Sequence, residues 1–147
     1  MTITNGEGSP FLNARAYTGP SITVFYDRDR CVHFAECVRG LPEVFDVTRK
    51  PWIDPTKAGP RIIATVVERC PSGALHYQMV GRTEIPASPT AIDETELAQI
   101  QLRGDLSLRD AEGIEVLRDT RITACGCGRS ERRPFCDGAC EDGVGLA

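Results

Sequence analysis

Seven cysteines in two separated sets constrain this chain more than any other feature. Four lie near the C-terminus, as Cys125, Cys127, Cys136 and Cys140, in the spacing C-x-C-x8-C-x3-C. Gly126, Gly128, Ser130, Pro134 and Gly138 are interleaved with them. Such residues let a backbone turn tightly enough for four thiols to converge on one metal centre. The other three, Cys31, Cys37 and Cys70, are dispersed through the first half. An odd count forbids complete disulfide pairing within one chain. The N-terminal stretch, Met1 to Pro20, also lacks the basic and apolar regions of a secretory signal. The expectation is reduced thiols that ligate metal in the cytoplasm, not a disulfide framework.

A length of 147 residues suits one compact domain or two small ones, and the 41% apolar and 26% charged content is that of a globular chain. Two domains of this size would have thin cores, which metal centres commonly staple. No apolar run approaches membrane-spanning length; Ile62 to Val67 is the most conspicuous. Charge is uneven. Residues 22–80 hold eight basic and seven acidic groups, a sum of +1, whereas residues 81–119 hold four and nine, a sum of −5. An acidic segment can steer a basic partner, but a solvated connection explains it more simply. No basic face interleaved with aromatics points to nucleic acid. With two histidines, and no nucleophile–base pair or phosphate-binding glycine motif, the chain does not read as an enzyme.

The C-terminal motif, with Ser130, Pro134, Asp137 and Gly138, resembles the CDGSH (mitoNEET-like) iron–sulfur domain, whose pattern is C-x-C-x2-(S/T)-x3-P-x-C-D-G-(S/A/T)-H. Every position matches but the last, where this chain has Cys140. The resemblance implies a [2Fe–2S] cluster, held in that family by three cysteines and a histidine. Here the implied ligands are Cys125, Cys127, Cys136 and Cys140. Thiolate in place of neutral imidazole lowers the expected potential and removes a ligand that titrates near neutrality. Asp137 is placed to cap a short helix carrying Cys140.

Cys31-Val32-His33-Phe34-Ala35-Glu36-Cys37, with the distant Cys70-Pro71, resembles a divergent single-cluster [4Fe–4S] ferredoxin domain over about residues 15–80. Such domains use C-x2-C-x2-C and a remote C-P. The middle ligand position falls here on Phe34, which cannot ligate. Three solutions stay open: a [3Fe–4S] cluster on Cys31, Cys37 and Cys70, a [4Fe–4S] cluster with a non-protein fourth ligand, or a [4Fe–4S] cluster with His33 as the fourth. His76, beside Tyr77 in a strand-like run, reads as structural. A zinc site on the C-terminal four is the rival chemistry, although structural zinc favours paired C-x2–4-C knuckles.

Cysteine placement and the proline-bearing stretch Gly81 to Thr90 divide the chain into a tail (1–14), a ferredoxin-like domain (15–80), a linker (81–96) and a CDGSH-type domain (97–147). The expected class is α+β, a ferredoxin-like βαββαβ module followed by a small β-rich module. In the first, Ser21–Tyr26 and Ala74–Val80 read as strands. Residues 44–47 and 51–53 read as short extended pieces, 35–39 as a helical turn ending at Gly40. A helix runs from Pro60 to about Arg69, with Ile62, Ile63, Val66 and Val67 at helical spacing. In the second, 97–108 and 114–124 alternate as strands joined by a turn at Asp110–Gly113. The functional expectation is a two-cluster iron–sulfur protein in electron transfer. Its redox partner is unspecified, it has no membrane or nucleic-acid partner, and homodimer formation is implied by resemblance. The alternatives are a cluster carrier or redox sensor, and a structural zinc-binding interaction module.

Overall fold

The computed structural model describes residues 14–32, 34–95, 99–125 and 135. Its contacts divide the chain into two units. The first takes Met1–Arg28, His33–Cys70 and Ala74–Glu84; the second takes Asp29–Val32, Pro71–Gly73 and Ile85–Ala147. The expected helical turn over Cys140 lies outside the described residues, as do His33, Cys127, Cys136 and Cys140.

The β-branched and aromatic run after Ser21 forms strand β2 (Ile22–Tyr26), the centre of a three-stranded antiparallel sheet in the first unit. One neighbour is β1 (Arg15–Thr18), which the sequence reading did not single out. The other is β3 (Leu75–Met79). The register sets Val24 opposite Tyr77 and Phe25 opposite His76. Between β2 and β3 lie α1 (Glu36–Gly40) and α2 (Pro60–Val67). The two extended pieces expected between the helices reduce to a single antiparallel bridge, Phe45 to Ile53. Tight side-chain turns set the path instead: Asp46 Oδ1 accepts from Thr48 N and Asp54 Oδ1 from Thr56 N. The hydroxyl bonds from Thr48 and Thr56 to the same oxygens, and then these backbone bonds, hold both carboxyls below their usual range.

Pro60 opens α2, where its missing N–H costs nothing. Ile63, Ala64, Val66 and Val67 form the buried stripe of this helix. Ile62, expected in that stripe, is 56% exposed, because Ala64 shares the inward face in its place. The core joins this stripe to Ile22, Val24, Leu41, Val44, Phe45, Ile53, Leu75 and Tyr77. Trp52 caps it edge-on to Tyr26, ring centroids 4.9 Å apart.

The second unit is built on another antiparallel sheet, β4 (Ala91–Glu94), β5 (Gln99–Arg109) and β6 (Glu115–Cys125), in that order. The β5–β6 turn is where the sequence placed it. Asp110 Oδ1 accepts from the N–H groups of Glu112 and Ile114, and Gly113 takes φ +82°. Strand β4 corrects the reading of residues 81–96 as linker alone. Its side chains are mostly exposed, so it has no apolar period to read; it pairs to β5 through backbone bonds. Among the described residues, no helix is long and apolar enough to cross a membrane.

Candidate metal centre

Of the first cysteine set, Cys37 sits on α1, and its carbonyl accepts from Leu41 N at 2.9 Å. Ala35, just before α1, holds the left-handed conformation (φ 62°, ψ 18°), turning the chain sharply between Cys31 and Cys37. Arg39 secures the turn by donating to Phe34 O at 2.8 Å. Cys70 follows α2, its N–H donating to Val67 O at 3.1 Å as the helical ladder runs out. Both Cys37 and Cys70 are partly buried and pack against the core of the first unit. Cys31 follows a 3₁₀ turn (Arg28–Arg30) and belongs to the second unit. His76 is buried in β3, the structural place expected for it.

The end of α2 that delivers Cys70 is pinned to β3. Glu68 Oε2 accepts from Tyr77 Oη at 2.5 Å and from Arg82 Nη2 at 3.1 Å. Arg82 also donates to Arg61 O and Thr65 Oγ1. Burial first, and then the hydrogen bond to Glu68, push the Tyr77 phenol up to about 12.

Of the second set, Cys125 ends β6 and pairs in register with Gln99. An isolated antiparallel bridge joins Ala124 to Phe135. The inward face of β6 is Leu117, Asp119, Arg121 and Thr123, all nearly inaccessible. Arg30 Nη1 pairs with Asp119 Oδ2 at 2.7 Å, with both side chains at most 3% exposed. The other carboxyl oxygen of Asp119 accepts from Thr120 N at 2.7 Å. A buried ion pair of this kind is tolerated only when its remaining hydrogen-bonding capacity is also met. Thr123 Oγ1 donates to Pro71 O at 2.9 Å. Sequence reasoning missed Arg30, Asp119 and Thr123, because charged and polar residues at alternate strand positions look solvent-facing. The signal that remained was Gly73, close behind Cys70-Pro71.

The donor chemistry fits an iron–sulfur group. Cys31, Cys37, Cys70 and Cys125 are partly exposed thiols, neither sealed in apolar core nor fully in water.

Comparison with known proteins agrees with the chemistry. Residues 17–79 match the family described as "Divergent 4Fe-4S mono-cluster", and residues 100–139 match "Iron-binding zinc finger CDGSH type". The chain is similar to "Uncharacterized protein YjdI" of Escherichia coli strain K12, and to its counterpart in strain O157:H7. Each is 42% identical over 64 residues, which cover 44% of this chain and 84% of the relative. No solved structure matches. Through residues 17–79 the chain belongs to the divergent 4Fe-4S mono-cluster family, and in the same polypeptide it carries a CDGSH-type iron-binding domain.

Proposed function

We propose that this chain is a two-cluster iron–sulfur protein that carries electrons to or from a partner protein and has no catalytic chemistry of its own. The observation that carries this reading is the tandem of family matches, the first spanning one cysteine set and the second covering three of the four cysteines of the other. Cys31, Cys37 and Cys70 fall within 17–79, and Cys125, Cys127 and Cys136 within 100–139. The first set would hold a [4Fe–4S] or [3Fe–4S] cluster, with His33 a candidate fourth ligand. The second would hold a [2Fe–2S] cluster with Cys140 as its fourth. When bound, such groups supply one-electron exchange. The protein's own part is to hold thiolates at fixed positions, here on a helix rim, a pinned helix end and a strand end.

Cys140, one residue beyond the second match, favours electron carriage over cluster delivery. A thiolate there replaces the ligand through which protonation labilises such centres. The test compares wild type with Cys140→His. Wild type should cycle reversibly between redox states and retain its iron when mixed with an apo acceptor at mildly acidic pH. The variant should show a [2Fe–2S] potential higher by on the order of a hundred millivolts, and faster acid loss. Rapid delivery of iron and sulfide by wild type would instead favour a carrier. A colourless protein containing zinc would establish the interaction-module reading.

A further inference from the structure

Arginine is rarely buried without a specific partner, yet Arg30, the residue before Cys31, is 3% exposed. Its guanidinium offers five donors in a rigid fork, and that fork reaches three segments of the second unit: strand β6, the stretch at Ser72 and Phe135. Besides the 2.7 Å pair with Asp119, Nη2 donates to Ser72 O at 2.9 Å and to Arg121 O at 3.0 Å. Its charged centre lies 4.9 Å from the Phe135 ring centroid, within cation–π range. Every one of these segments adjoins a cysteine in sequence. Arg30 precedes Cys31, Ser72 follows Cys70-Pro71, Arg121 lies on the strand that ends at Cys125, and Phe135 precedes Cys136.

The fit of the 71–73 segment is independent support. Gly73 has φ +74°, and a Cβ there would stand 2.3 Å from both Arg121 O and Arg30 Nη2. The backbone therefore comes as close to the fork and to β6 as a residue can, and only glycine allows it. Thr123, from the same strand, fixes Pro71 O alongside. Balancing the charge of Asp119 would require a cation but no fork to two carbonyls. The extra bonds satisfy the buried guanidinium and at the same time tie the 71–73 segment to β6.

We propose that Arg30 is a positioning residue shared by the two cysteine sets. It fastens the segment bearing Cys31, and the one following Cys70, to the strand bearing Cys125, so that removing its fork loosens the hold on iron at both sets. Ligand retention depends on such outer partners as much as on the ligands. The proposal rests on the two-cluster reading above. The probe is an iron chelator added to the anaerobically purified full chain, with the decay of each cluster's EPR and visible signals followed separately. Arg30→Lys keeps a cation beside Asp119 but cannot fork to both carbonyls. The double variant Arg30→Met, Asp119→Leu removes the charge pair altogether and replaces it with apolar bulk of similar size.

Both variants should unfold below the wild-type temperature, since two buried carbonyls lose their donor, and at a temperature where each is fully folded should lose both signals about tenfold faster or more, as the loss of charge-assisted hydrogen bonds implies. Either variant that folds gives the answer. If only the first-set signal decays faster, or neither does, the shared role is overturned. The same follows if the double variant retains both clusters as wild type does, since Arg30 then serves only to neutralise Asp119. A wild-type chain carrying a single cluster type would fail at an earlier step: it would overturn the two-cluster reading, and the sharing with it.

Discussion

Ala35 holds a backbone conformation that an L-residue with a β-carbon adopts at a cost of roughly 1–2 kcal/mol. Its carbonyl accepts from Arg39 N at 3.0 Å to open α1, but its methyl side chain makes no capping bond that would offset the cost. Its place is the turn between Cys31 and Cys37, where the chain must reverse to start the helix. Ala35→Gly removes the conflict at the β-carbon and should raise stability by up to about 1 kcal/mol. Ala35→Val should lower it by more, a branched side chain being less tolerant of positive φ. Denaturant titration of the two variants checks this. A glycine variant as unstable as the valine one would show that the methyl group, not the φ angle, matters at this position.

Among elements, the join of α2 to β3 has a pH dependence of its own. Tyr77 is neutral when protonated, and its folded pKa of about 12 lies above its ordinary value near 10. The stabilisation is therefore complete below about pH 10 and is lost as pH rises from there towards 12. Tyr77→Phe lacks the titrating group, so its unfolding temperature should fall less steeply across that window than wild type's; equal slopes would contradict the assignment. The same pair of elements shows what sequence can convey. Ile63, Val66 and Val67 announce α2 by apolar period, and Pro60 marks its start. Strand β6 announces itself poorly, because Asp119, Arg121 and Thr123 occupy inward positions where the pattern leads one to expect apolar residues. Strand β4 gives no signal at all, since an edge strand with exposed side chains is specified by its neighbour's backbone.

For the molecule as a whole, cysteine spacing made the chemistry legible, and the two family matches carry the same pairing of domains. What spacing could not reveal is the boundary between units. Asp29–Val32 and Pro71–Gly73 lie within the first family's residues yet belong to the second unit, held there by Arg30 and Thr123. Such a tie depends on side chains far apart in sequence, and no local period records it. The central claim is that both cysteine sets hold iron–sulfur clusters at once. Iron and acid-labile sulfide per chain in anaerobically purified protein, with EPR of the oxidised and reduced forms, test it most directly. The account predicts about five to six iron atoms per chain and two distinguishable signals, from one [2Fe–2S] and one three- or four-iron cluster. About two iron atoms and a single signal would contradict it.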